Sequence, residues 1–337
     1  MRFRNSLLLF MGLVGLSWAC DDPKYAKYKD KNHVMCEKPP SCPWELRVKE
    51  LADYDKRGLI NILNNLRSIM ATGKTPGFPP ASNMQQLTWD DELAALARRA
   101  LKQCDYEKIN KYFFDFTVER FNVSQYTDQF SGTYSLQNEK FAKIPDFTRN
   151  IYRRAFDNTY AAKHLAKYNP SHNLQKARGF TLLLWARIKY VGCAYQNAKF
   201  NNAKEELDRR TLICLFGPAG NVKDEPVYEF GEPNCQREST KFPGLCVTEE
   251  AEQKFTEPGC KNDPEFYKRY GAILCESKEK LYKWLGNELP YEHETCTDRW
   301  WHSRETDAKL SFFVSAILLT AIYAYFITRI QIRIFLV

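Results

Sequence analysis

The chain has 337 residues, 49 Lys+Arg against 41 Asp+Glu, and 11 cysteines. A sequence that is 44% hydrophobic and 14% aromatic can bury a core, which excludes wholesale disorder. The net charge of +8 is partly terminal: taking away Arg2, Arg4, Arg329 and Arg333 leaves +4, with acids and bases interspersed. That pattern excludes a nucleic-acid footprint.

Residues 1–19 (MRFRNSLLLFMGLVGLSWA) join a basic start to an apolar stretch, Leu7–Leu16, and end in Ser17 and Ala19 at the positions of a small-residue cleavage site. They read as a secretory signal peptide, the apolar stretch being too short to span a bilayer. Residues 20–45 are lysine-rich, carry Cys20, Cys36 and Cys42, and read as an irregular arm tied down by bridges.

From Glu45 the texture changes. Leu59, Ile60, Leu63, Leu66 and Met70 form a helical stripe that stops at Thr72-Gly73. A Pro/Gly loop follows, then a second helix expected to begin at Thr88, with Asp91 completing a capping-box pattern. Its apolar face would be Leu93, Leu96, Ala97, Ala100, Leu101 and Cys104. A third helical pattern covers about Asp146 to Tyr168. Phe180–Ile188 is a short apolar run of strand length, and Tyr190–Tyr195 and Thr211–Phe216 read as two further strands joined by a polar loop. Helices first and mostly antiparallel strands after them imply an α+β fold. Residues 229–309 are punctuated by Pro and Cys, with one helical stretch near Pro264–Gly286.

Leu310–Thr328 contains no charge over 19 residues, enough for a helix to cross the hydrocarbon region. Lys309 precedes it, and residues 329–337 would form a short inner tail bearing Arg329 and Arg333. The expected topology is type I single-pass, with the body outside the cell. A lipid-anchor signal fits less well, because the preceding spacer is bulky and aromatic and arginines interrupt the tail. The DRWWH string (Asp298–His302) reads as an interfacial aromatic belt.

In a secreted chain the cysteines read as a disulfide framework; no C-x2-C pair points to zinc. Eleven is odd, which leaves at least one thiol free or paired between chains. Asn122-Val123-Ser124 is a glycosylation acceptor sequon. No G-x-S-x-G or H-E-x-x-H string supports a hydrolase.

Three segments carry a resemblance: Pro79–Cys104, Gly179–Cys193 and Thr211–Val222, the last including Cys214, Gly217-Pro218 and Gly220-Asn221. Together they resemble the CAP superfamily of cysteine-rich secretory, venom antigen-five and pathogenesis-related proteins. The resemblance covers residues 46–228, with an antigen-five-like arm before them. It implies a three-layer α-β-α sandwich with a Cys-rich arm and a C-terminal extension. It also implies the bridges Cys193–Cys214, Cys42–Cys104 and Cys20–Cys36, and makes Cys235 and Cys246 a reduced form of the family hinge. Cys260, Cys275 and Cys296 fall in an unmatched extension.

Family members often hold a divalent ion in a cleft of two histidines and two acidic or amide side chains. Here the H-N-x-x-R string is Leu63-Asn64-Asn65-Leu66-Arg67, and the G-H-[FY]-T-Q string is Arg178-Gly179-Phe180-Thr181-Leu182. The acidic position of G-[EQ]-N falls at Phe121, before Asn122. Leu63, Phe121 and Gly179 offer no lone pair and no transferable proton, and Leu182 replaces the glutamine. His164 and His172 lie on separate polar stretches, and His33, His293 and His302 lie outside the matched core.

The expectation is therefore a non-enzymatic module with no catalytic residue, metal or other cofactor, tethered to the membrane and meeting an extracellular protein or matrix ligand. A lipid- or sterol-binding protein is the first alternative, since Leu63, Phe121 and Leu182 could make the cleft greasier. A hydrolase of unknown type is the second.

Overall fold

The structure is a computed structural model describing residues 20–104, 117–133, 165–169, 178–254 and 259–281, apart from positions 21, 32, 43, 44, 76, 119, 203, 204, 278 and 279. The signal peptide, residues 146–164 of the helical pattern expected over 146–168, Cys296, the 310–328 span, and His164, His172, His293 and His302 lie outside the described residues; the described end of that pattern, 165–168, is not helical. Among the described residues, no helix is long and apolar enough to cross a membrane.

Two compact units divide the chain. The first takes residues 1–60, 87–148 and 188–222, and the second takes 61–86, 149–187 and 223–337.

The first unit is built on a sheet of β1 (Glu45–Lys49), β6 (Tyr190–Asn202), β7 (Glu205–Gly217) and β5 (Ser124–Thr133), paired antiparallel in that order. β2 (Thr88–Trp89) adds a short parallel pairing to β6. A separate two-stranded sheet joins β3 (Thr117–Val118) to β4 (Phe121–Asn122). The helix α2 (Asp91–Leu101) packs on β6 and β7. Leu93, Leu96, Ala97, Ala100 and Leu101 meet Ala194, Ile213 and Leu215 from the sheet, with Tyr25 and Val34 from the arm. Burying one such leucine stabilises by about 1.5–3 kcal/mol. The helix comes very close to the strand at Gly192. A Cβ there would lie 2.2 Å from the Ala94 nitrogen and 2.4 Å from the Asp90 oxygen, so only glycine seats the helix.

Several expectations are corrected in this unit. The cap of α2 is Asp90 rather than Thr88: its Oδ1 accepts the Leu93 N–H at 2.9 Å, while Thr88 is drawn into β2. Aspartate caps at least as well as threonine, and the parallel pairing fixes which one is used. The helix ends at Leu101, leaving Cys104 beyond it. The polar stretch after Tyr195 is ladder, not loop, since β6 and β7 pair as far as Asn202 with Glu205. Backbone groups pair without regard to side-chain polarity, so apolar content alone underestimates strand length. The arm is less irregular than expected, with 3-10 turns at Pro23–Lys31 and Val34–Cys36, and β1 was not anticipated at all.

The second unit holds residues 61–71 of α1 (Asp53–Ala71), whose first turns belong to the first unit. The helix stops at Gly73, which takes a φ of 66° and donates its N–H to Met70 O. The run expected as a strand at Phe180–Ile188 instead begins in a helix, α3 (Arg178–Leu183), with Gly179–Leu183 all buried. A short apolar run buried on every side lacks the periodicity that separates helix from strand. The chain then pairs with later segments: Ala186 N–H donates to Val227 O at 2.7 Å, and Cys246 N–H to Met84 O at 2.7 Å. Two short helices follow, α4 (Glu249–Gln253) and α5 (Pro264–Tyr270).

Among the described residues, five disulfides join Cys20–Cys36, Cys42–Cys104, Cys193–Cys214, Cys235–Cys246 and Cys260–Cys275. Cys193 and Cys214 are register partners on β6 and β7.

Candidate functional site

The positions singled out for cation chemistry are occupied by packed, donor-free side chains. In the second unit Leu63 is 2% exposed on α1 and Leu182 1% exposed on α3, beside the buried Gly179. Phe180 meets Phe78 edge-on at 5.5 Å. In the first unit Phe121 stacks on Tyr190, with ring centroids 5.3 Å apart and planes 7° from parallel. Its ring also presses on Gly217, where a Cβ would stand 2.0 Å from Cε2. A divalent ion needs several lone pairs at fixed distances, and an isobutyl group, a phenyl ring and a bare α-carbon supply none. The residues present do not fit the family's metal. Among the described residues, no group of three His, Cys, Asp or Glu side chains is placed to hold one.

Arg67, three residues beyond Asn64 in the same string, is the polar centre of the second unit. It is fully buried. Its Nε donates to Gln85 O at 2.9 Å, Nη1 to Leu183 O at 2.5 Å and Trp185 O at 3.1 Å, and Nη2 to Ala186 O at 3.1 Å. Three of these carbonyls belong to the end of α3 and the turn after it, where backbone acceptors lack helical partners. Burial pushes the guanidinium pKa down to about 9, so it stays charged at neutral pH. Sequence reasoning missed it. The signal was available: Arg67 lies four residues from Leu63 on a stripe of buried aliphatics, where a charged side chain demands built-in partners.

A second polar cluster sits at the start of α2, within the first unit. Arg120 Nη2 donates to Asp90 Oδ2 at 2.7 Å and to Glu92 Oε2 at 3.1 Å. Lys24 Nζ lies 2.8 Å from Glu92 Oε1, which also accepts the Tyr25 hydroxyl at 2.5 Å. The Arg120 guanidinium lies over the Phe121 and Tyr190 rings, at 4.9 and 5.5 Å. Burial pulls the Glu92 carboxyl upward, but hydrogen bonds from Lys24, Tyr25 and Arg120 outweigh it and hold the pKa below the ordinary value. The Tyr25 hydroxyl is driven up, first by burial and then by Glu92. Both carboxylates are matched by cations and committed to hydrogen bonds, an arrangement that fastens the arm and the Arg120 segment to the helix. Neither Asp90 nor Glu92 is thereby left poised as a general base.

His33 is buried in the arm, stacked on Tyr25 at 4.5 Å, with Nδ1 accepting the Met35 N–H. Asn122 is exposed on β4. In the second unit, a shallow groove enclosing about 320 Å³ of space continuous with solvent is lined mostly by polar side chains, Asn65, Ser68, Thr72 and Lys74 among them.

These features define an α+β domain cross-linked by cystines, with apolar residues at the expected cation positions. The family model described as "CAP: Cysteine-rich secretory protein family" matches residues 60–216. Venom allergen 3 of Solenopsis invicta is 31% identical over 206 residues, 58% of this chain and 83% of that protein. The Cysteine-rich venom protein of Tityus serrulatus is 31% identical over 233 residues, 66% of this chain; the chain spans about half, 53%, of that relative's length. The chain belongs to the CAP family. A solved structure described as NaASP2 with Zn2+ aligns at a TM-score of 0.40 and 17% identity, covering 61% of this chain and 100% of that one; the zinc is a property of that protein.

Proposed function

We propose that this chain is a non-enzymatic CAP-domain protein working outside the cell as a recognition module. Residues 310–328 hold it at the surface as a type I single-pass protein, and residues 46–228 supply the scaffold. Residues 229–309 are a bridged extension available to an extracellular protein or matrix ligand. The observation that carries the reading is the chemistry at Leu63, Phe121 and Gly179, where family members place cation donors and this chain packs donor-free groups. The hydrolase alternative draws no support from Asp90 and Glu92, which are neutralised by Arg120 and Lys24.

The test is metal content together with binding. Purified full-length chain, incubated with zinc and desalted, should retain far less than one equivalent by elemental analysis. Stoichiometric zinc that survives desalting overturns the reading. Cells displaying the full chain should show saturable binding of a cell-surface or matrix protein, and its absence argues against recognition. Mass spectrometry of lipid co-purifying with the same sample checks the carrier alternative.

A further inference from the structure

We infer that Asn122 carries an N-linked glycan, and that the glycan is attached before the sheet of the first unit closes. The inference rests on the extracellular reading above, because the transfer machinery faces the secretory lumen.

The sequon is Asn122-Val123-Ser124, and its three residues have separate fates in the fold. Asn122 is exposed on β4, where its backbone pairs with Thr117. Val123 turns inward and joins the core under α2. Ser124 starts β5, opposite Phe216 of β7. A sugar on Asn122 therefore projects outward and asks nothing of the core. Asn169-Pro170-Ser171 superficially resembles a second sequon, but its central proline disqualifies it.

The timing follows from Ser124. The acceptor sequence requires a hydroxyl two residues after the asparagine. In the folded chain that hydroxyl donates its one proton to Gly220 O at 3.0 Å and accepts the Gly220 N–H at 3.1 Å, so its proton and one of its two lone pairs are committed while its backbone is held in β5 opposite Phe216. The folded sequon is a closed substrate. Gly220 is synthesised 98 residues after Asn122. At about 5–20 residues per second, the open interval is roughly 5–20 s. In the transfer, Asn122 Nδ2 bonds to the anomeric carbon of a lipid-pyrophosphate-linked oligosaccharide. The carbon–oxygen bond to pyrophosphate breaks, the pyrophosphate leaves with the bonding pair, and Nδ2 gives up one proton to the transferase.

The full-length chain is expressed in secretory cells, and surface exposure is scored independently by protease treatment of intact cells. Wild type should reach the surface and gain mobility on peptide-N-glycosidase treatment, with residue 122 then read as aspartate. Asn122→Gln and Ser124→Ala should both show no shift. A surface-exposed chain with unmodified Asn122 overturns the glycan while sparing the extracellular reading; a chain that never enters the lumen overturns both. For timing, chain made without membranes is oxidised and folded, then offered to permeabilised microsomes. It should stay unmodified, while the same chain reduced and unfolded is modified. Equal modification of the two overturns the timing.

Discussion

Two arginines in the two units do the same job by opposite physics. Arg120 in the first unit is 45% exposed and faces carboxylates, Asp90 and Glu92. Arg67 in the second is fully buried and faces four backbone carbonyls with no carboxylate among those contacts. Their pKa directions are opposed. Burial lowers both, but at Arg120 the hydrogen bonds and charge of Asp90 and Glu92 more than reverse it, whereas at Arg67 burial prevails. The contrast shows that the charge at Arg120 is replaceable by water and the one at Arg67 is not.

The largest expected effect is therefore at Arg67. Arg67→Met strips the guanidinium donors from the buried Gln85, Leu183 and Trp185 carbonyls, while Ala186 O keeps the Gln85 N–H at 3.0 Å, and should cost about 3–5 kcal/mol in urea unfolding, with a matching fall in secreted yield. Arg67→Lys should recover only part, since three ammonium donors cannot span four carbonyls in the guanidinium's planar fork. A loss below 1 kcal/mol for the methionine variant would erase the contrast between the two residues.

Arg120→Met should cost no more than about 1 kcal/mol, because exposed pairs contribute little. The difference from wild type should disappear in about 1 M salt, where screening acts over roughly 3 Å. A salt-independent loss would mean that the stacking of Arg120 on Phe121 and Tyr190, not the ion pairs, holds the segment.

The smallest effect sharpens the same comparison through pH. Glu92 has a folded pKa below its ordinary value of 4.5, so its contribution is present above that value and fades as pH falls through the lowered one. Glu92→Gln should flatten the acid limb of the stability profile by less than about 1 kcal/mol and leave the neutral-to-alkaline limb parallel to wild type. An unchanged acid limb would assign it to other carboxylates.

The family and the α+β class were legible because they rest on local strings and apolar periodicity, such as the Leu59–Met70 stripe and the face of α2. What escaped has a common cause. Phe180–Ile188 looked like a strand because its helical part, Phe180–Leu183, is only four residues long and buried throughout. The far ends of β6 and β7 looked like loop because their pairing depends on the partner strand rather than on apolar content. Asp90 displaced Thr88 as the cap because β2 pairs with β6, a contact that spacing cannot reveal. At the candidate site, the missing donors were visible at Leu63, Phe121 and Gly179. Arg67 was overlooked because its partners come from Gln85, Leu183, Trp185 and Ala186, and backbone carbonyls leave no trace in side-chain identity.

Gly192 and Cys193 are neighbours on β6, and neighbours on a strand point to opposite faces. One makes room for α2, and the other bonds to Cys214. If the hairpin slipped by a single residue, a thiol-bearing side chain would jam beneath the helix and its intended mate would be stranded. The two positions thus fix the hairpin's alignment from both faces of the sheet, since a one-residue slip carries every side chain to the opposite face.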